Sequence, residues 1–210
     1  MVITHHGAEF FKVSFGDTTL ALNPISKDSK LKGARFGADV ALISLDDPDM
    51  NGAAEVAYGE RQPFVIAGPG EYEVKGVTVK GFLSSSTYRE KERINTIYFI
   101  SLEGMNLCFL GALADKKLPQ EAREALEDID ILFIPVGGDG VLTPAEAHDI
   151  AILLEPKMVI PMHYDGMGEK GSLAAFLKEE GADAKPVDKL TLKKKDLEGK
   201  EGEVVVLAAQ

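Results

Sequence analysis

Apolar residues alternate with polar ones through the first half of the chain and fall into helical stripes in the second. Within residues 10–15, Phe11, Val13 and Phe15 share one face, Gly16 and Asp17 turn the chain, and Leu20 and Leu22 continue on the return, which predicts an N-terminal hairpin. Residues 40–43 are a short apolar run followed at once by a polar segment containing Pro48, the pattern of a buried strand delivering a loop to a sheet edge. Residues 52–58 read as a short helix and residues 64–66 as a short buried strand. Gly68 to Val79 reads as a turn and a hairpin with Lys75 and Gly76 at its tip, and the polar, charged residues 84–93 predict an exposed loop. Residues 95–102 and 105–110 are two further strands joined at Glu103 and Gly104.

The rhythm then changes. Ala122, Ala125, Leu126 and Ile129 recur at helical spacing, residues 131–136 form an apolar strand, and a glycine-rich turn leads to a second helix. That helix opens on Thr143, Pro144, Ala145 and Glu146, a capping box with proline at the first helical position. Its stripe is Ala147, Ile150, Ala151 and Leu154, and Glu155 with Pro156 ends it. A strand over residues 158–162, a helix carrying Leu173, Phe176 and Leu177, and a strand around residues 204–207 complete the order. Hairpins followed by strand–helix alternation predict two sheets packed face to face with helices outside, in a single domain over residues 1–210.

Composition narrows the function classes. With 45% apolar and 27% charged residues the chain has an ordinary globular make-up, and a net charge of −11 argues against nucleic acid and anionic membrane surfaces as partners. No apolar run is long enough to span a bilayer, no signal peptide is visible, and the one cysteine cannot form an internal disulfide, so the expectation is a cytoplasmic protein.

Candidate chemistry concentrates after residue 43. Asp46, Asp47 and Asp49 lie so close that they repel unless a cation, hydrogen-bond donors or water compensates them, although short carboxylates also serve as turn formers. His163 ends a strand, where it is either a ligand or a hydrogen-bonded structural residue. Glu71 and Tyr72 follow a rigid Gly-Pro-Gly turn and either line a cleft or pack. Gly137 and Gly138 precede a helix and could cradle an anion, but no P-loop lysine follows, and a tight strand-to-helix turn is the alternative. Cys108 reads as a small hydrophobe, His148 as a solvated side chain, and His5 with His6 as a mobile terminal pair.

Gly68-Pro69-Gly70-Glu71-Tyr72-Glu73-Val74, Pro135-Val136-Gly137-Gly138 and Ile160-Pro161-Met162-His163-Tyr164, in this order, resemble the metallo-β-lactamase superfamily, and within it the ascorbate-6-phosphate lactonase-like branch. The resemblance implies an α/β fold, a four-layer αββα sandwich with its site at the sheet edge, and a homo-oligomer. It also implies a cleft lined by Glu71, Tyr72, Gly137, Gly138 and Tyr164. The loop that the family writes His-x-His-x-Asp-His falls on Leu45, Asp47, Asp49 and Met50, and its second element falls on Phe109, Ala112 and Asp115. Gly7 is followed by Ala8 where relatives have histidine. The metal-ligand candidates that remain are Asp47, Asp49, Asp115 and His163, too few imidazoles for a dizinc hydrolase.

Three readings follow. In the first, the domain has no resident metal and persists as a pseudoenzyme or binding module for a small-molecule ligand. In the second, Asp47, Asp49 and His163, with Asp46 or Asp115, form an oxygen-rich site that suits Mg, Mn or Ca better than Zn, Asp49 handles the attacking water and His163 completes the shell, for hydrolysis of a small ester, lactone or phosphate-bearing substrate. In the third, a metal-free hydrolase uses Asp49, Glu71 or His163 as acid or base.

Overall fold

The computed structural model describes residues 1–164 and 166–210. Its first strand, β1 (Val2–His5), lies in a stretch where the sequence analysis expects none. It pairs antiparallel with β2 (Phe11–Phe15), which pairs antiparallel with β3 (Thr18–Leu22). Phe11 faces Leu22 and Val13 faces Leu20 across this hairpin, and all four are fully buried. β4 (Val40–Leu42) and β5 (Phe64–Ile66) then add in parallel, and between them the expected short helix is a single 3₁₀ turn, Ala53–Val56. Because β5 is the edge strand, Phe64 and Val65 are half exposed and only Ile66 is buried, which corrects the expectation of a buried strand.

The hairpin tipped by Lys75 and Gly76 is present as β6 (Gly70–Val74) and β7 (Val77–Ser86), and β8 (Arg93–Leu102) and β9 (Met105–Phe109) form the next. The first helix, α1 (Gln120–Ala125), is shorter than its stripe suggests, and β10 (Ile131–Pro135) follows. The capping box of α2 (Pro144–Leu154) is formed, with the Thr143 hydroxyl accepting from the Glu146 amide and the Glu146 carboxylate accepting from the Thr143 amide. After it come β11 (Met158–Met162), α3 (Ser172–Glu179), β12 (Leu190–Thr191) and β13 (Glu203–Val204).

The strands make a six-stranded sheet, β12-β1-β2-β3-β4-β5, and a seven-stranded sheet, β13-β11-β10-β9-β8-β7-β6. Alternate residues of both meet in the central core, with Phe11, Val13, Leu20 and Leu42 from the first sheet and Tyr98, Phe109, Phe133 and Ile160 from the second. The other face of the second sheet, including Cys108, Leu132 and Ile134, packs on Ala147, Ile150, Ala151 and Phe176 of the helices. The outer face of the first sheet is covered by Ile25, Ala38 and Val56, so that layer is an irregular segment with a 3₁₀ turn and not an α-helix.

Three histidines differ from their sequence reading. His5 is buried in β1 and stacked on Phe11 with ring centroids 4.6 Å apart, and His6 is half buried against Phe10 and Phe36, so the pair is packed and not mobile. His148 on α2 contacts the Glu180 carboxylate 3.0 Å away, at the end of α3.

One ion cluster lies at the start of β10. Asp130 is fully buried and accepts from Lys157 at 2.7 Å, from Lys194 and from the Asn106 amide at 2.9 Å. Burial pushes its carboxyl up, but the two lysines and the amide more than offset that and hold it below the ordinary 3.8. A folded value below the unfolded one adds stability that is complete above the unfolded value and is lost as pH falls through the folded one. The unfolding midpoint therefore drops more steeply in wild type than in Asp130→Asn when denaturation is followed from neutral pH to below about pH 4. Thr143→Ala, which removes the α2 cap, lowers stability by about 1 kcal/mol in a urea titration.

Candidate functional site

β9, β10 and β11 run parallel, so the loops after them open on one edge of the second sheet. The loop after β4 reaches the same edge, because Leu45 bridges Asn95 and the Asn95 carboxamide accepts from the Ala112 amide at 3.0 Å. Ligand sites form at such collections of strand ends, where loops from separate strands converge on one volume.

The β4 loop is tightly wound. The Asp47 carbonyl accepts from the Met50 and Asn51 amides at 2.8 and 2.9 Å, and its side chain accepts from the Asp49 amide at 3.1 Å. This winding turns Asp47 and Asp49 inward, each 1% exposed, and leaves Asp46 at the surface bonded to Asn51. Buried carboxylates need positive charge and donors. Here the charge comes from the connection between β7 and β8 and from the first residue of β8, and one donor from the segment between β3 and β4. Arg93 donates to Asp47 Oδ2 at 2.7 Å, and Arg89 lies 2.5 Å from Asp49 Oδ2 and 3.5 Å from Asp47 Oδ1. The Tyr88 hydroxyl donates to Asp49 Oδ2 at 2.7 Å, and Ser29 Oγ donates to Asp49 Oδ1. Burial and then the Asp49 carboxylate push the Tyr88 phenol far above its ordinary value, so it stays a donor.

His163 sits beyond β11 with φ +59°, fully buried, and its amide donates to the Ala8 carbonyl at 3.2 Å. Its Nδ1 is 2.6 Å from Oε1 of Glu9, whose Oε2 accepts from Asn23 at 2.7 Å. Asn23 in turn exchanges hydrogen bonds with Ser44, so a polar chain crosses from one sheet to the other. Gly137 explains the glycine pair after β10: a Cβ there would lie 2.0 Å from the His163 carbonyl oxygen and 2.9 Å from its ring. The Tyr88 ring meets His163 edge to face, 5.0 Å between centroids, and His163 Nε2 is buried with no hydrogen-bond partner among the described residues.

Leu45, Met50 and Ala112, three positions where the resembled pattern places ligands, converge in one apolar cluster with Tyr88, Val141 and Met167. Phe109, the fourth, belongs to the core between the sheets. The structure thus gathers Asp47, Asp49 and His163 around this cluster, with Gly137 packed beneath His163, and leaves Asp115, Glu71 and Tyr72 elsewhere. Asp115 is exposed, accepts from the Lys117 amide and lines a surface groove of about 760 Å³ beside Lys117 and Leu118. Glu71 and Tyr72 stand on β6, at the opposite edge of the second sheet, five strand spacings or about 24 Å from β11, and do not line this volume. Glu71 is ion-paired with Lys80, and the Tyr72 hydroxyl donates to the Gly68 carbonyl. Gly137 and Gly138 pack beneath His163 and Glu169, and the Tyr164 hydroxyl donates to the Leu207 carbonyl. Among the described residues, no group of three or more His, Cys, Asp or Glu side chains is placed to hold a metal ion.

Sequence reasoning missed Glu9, Tyr88, Arg89 and Arg93. Residues 84–93 are an exposed loop only in part: Thr87 and residues 89–92 are exposed, but β7 runs to Ser86, Tyr88 is buried in a 3₁₀ turn, and Arg89 and Arg93 reach the carboxylates. The available signal was two arginines and a tyrosine in a chain with three crowded aspartates needing compensation. Glu9 was marked only by being the acidic residue directly before Phe10 and Phe11. Glu9→Ala leaves the His163 Nδ1–H and an Asn23 N–H unpaired in the core and lowers stability by about 1–3 kcal/mol in urea denaturation, and Glu9→Gln, which keeps one acceptor, loses less.

Residues 2–163 match the family model of the beta-lactamase superfamily domain. A UPF0173 metal-dependent hydrolase of Listeria innocua is 28% identical over 199 residues, covering 79% of this chain and 86% of the relative. A solved structure of a metallo-β-lactamase superfamily protein from Thermotoga maritima is 31% identical and superposes with a TM-score of 0.76 over 98% of this chain and 97% of the other. A third likeness, to a protein of Parabacteroides distasonis, has 16% identity and a TM-score of 0.67 over 99% and 93% of the chains, and shows the fold alone. Family model, relative and shared fold agree with the motifs around Gly70, Gly137 and His163, and the chain belongs to the metallo-β-lactamase superfamily.

Proposed function

We propose that this member of a hydrolase superfamily is a binding module in which the usual dizinc site has been given up. The observation that carries this reading is the apolar cluster of Leu45, Met50 and Ala112 with the Tyr88 ring, set where the family pattern calls for ligands. A catalytic zinc takes three protein ligands and keeps a position open for water. The residues present do not fit that requirement, since Asp47 and Asp49 are engaged by Arg93, Arg89 and Tyr88, and both are 1% exposed. The central mechanistic consequence concerns water: with no metal to lower its pKa, and with carboxylates already committed to guanidinium groups, this corner has no activated nucleophile to offer. What it retains is rigid, charged and hydrogen-bonded, the properties of a recognition surface.

One observation favours a second reading, a metal-dependent hydrolase with a remodelled site. His163 has its Nδ1 held by Glu9 and its Nε2 unpaired, the arrangement by which a carboxylate orients a metal-binding imidazole, and the Listeria relative is named a metal-dependent hydrolase.

Elemental analysis separates the two. Protein purified without chelator or affinity tag, before and after incubation with Zn²⁺, Mn²⁺ and Mg²⁺, retains a substoichiometric amount of metal under the first reading. One equivalent that persists through desalting and disappears in Asp49→Asn or His163→Ala supports the second and overturns the first.

A further inference from the structure

We propose that the corner made by Asp47, Asp49 and the Tyr88 ring is a guanidinium-binding site, occupied within the chain by Arg89 and available to the guanidino group of another molecule when Arg89 withdraws. The inference rests on the reading that no metal resides there. It concerns what the two carboxylates recognise in its place.

The Arg89 fork faces both carboxylates, 2.5 Å from Asp49 and 3.5 Å from Asp47, and its Cζ lies 5.3 Å from the Tyr88 ring centroid. Two acceptors in the fork direction and an aromatic ring alongside are the set that selects a planar guanidinium over a compact ammonium. The two arginines play different parts. Arg93 is 20% exposed and is also anchored on the Asp46 carbonyl at 3.0 Å, whereas the Arg89 side chain is 44% exposed, so solvent reaches the group that would leave.

The backbone favours its departure. Arg89 and Glu90 are successive non-glycine residues in the left-handed region, at φ 57° and 56°, a strained conformation, and Arg89 is held in it by its ion pairs with Asp47 and Asp49. The site also survives the loss of Arg89. Ser29 and the Tyr88 hydroxyl keep Asp49 in place, and Arg93 keeps Asp47 in place. Asp49 would then be a buried carboxylate lacking its cation, the condition under which an external cation gains most from binding. A divalent metal finds no third carboxylate, histidine or cysteine grouped with these two among the described residues, whereas a guanidinium needs only the pair and the ring. The ligand is a free guanidino compound or an arginine side chain presented by a peptide, and both carry the same group.

The test is chemical rescue in the full chain. Arg89→Ala melts below wild type, and methylguanidinium chloride at millimolar concentration raises its melting temperature with saturation. Methylammonium and sodium chloride at equal ionic strength do not, and Asp49→Asn in the same background weakens the response about tenfold or more. An arginine-containing tetrapeptide that rescues at lower concentration than methylguanidinium assigns the ligand to a peptide, and equal potency assigns it to a small molecule. No saturable shift, a shift of equal size with methylammonium, or rescue by MnCl₂ alone overturns the proposal. Should Arg89→Ala fail to fold, hydrogen exchange on wild type decides instead. Methylguanidinium accelerates exchange over residues 87–90 in wild type and leaves Asp49→Asn unchanged, and unaltered exchange in wild type overturns the proposal. Metal found in wild type at stoichiometric amounts refutes the metal-free reading itself, whereas failed rescue with metal-free wild type refutes only the guanidinium site.

Discussion

Two carboxylates with a single residue between them, both sealed from water, are the constraint on which this end of the molecule depends. Side by side in a low-dielectric interior they repel each other and lose hydration, so the fold must surround them with positive charge and donors. A metal is one solution. Positive and hydrogen-bonding side chains are another, and here two guanidinium groups, a phenol and a serine hydroxyl reach the pair from segments distant in sequence. The connection between β7 and β8, free to be a solvated loop by its composition, is drawn inward by that demand, and its strained turn at Arg89 and Glu90 is a consequence.

The same edge holds a second buried polar chain, from His163 through Glu9 and Asn23 to Ser44. It ties the loop after β11 to the first sheet, as the ion pairs tie the β4 loop to β8. Between the two chains lies Tyr88, with its ring against His163 and its hydroxyl on Asp49. The volume that would separate an imidazole from a carboxylate across a metal is filled by one side chain of this protein.

Most of the architecture was legible beforehand because it follows from local chemistry. Period-2 alternation at Phe11, Val13, Leu20 and Leu22 matches a half-buried hairpin, and the box at Thr143 and Glu146 starts its helix where expected. Errors fell where packing overrode composition. His5 and His6 look like a loose terminus until β1 places His5 on Phe11, and Phe64 looks buried until the strand order makes β5 an edge. Glu71 and Tyr72 looked like cleft residues through their motif, but the order of the second sheet puts them at its far side.

The sequence by itself determined most of the element order, though not β1 or β12, together with the core stripes and the superfamily. It could not determine what compensates Asp47 and Asp49 or what orients His163. Those partners are residues 40 and more than 150 positions away, Arg89 for Asp49 and Glu9 for His163. Hydrophobic periodicity is written into neighbours a few residues apart, so a single chain displays it. Electrostatic pairing between distant segments leaves no such trace, because charge has no period, and only the folded sheets bring the partners within hydrogen-bonding distance.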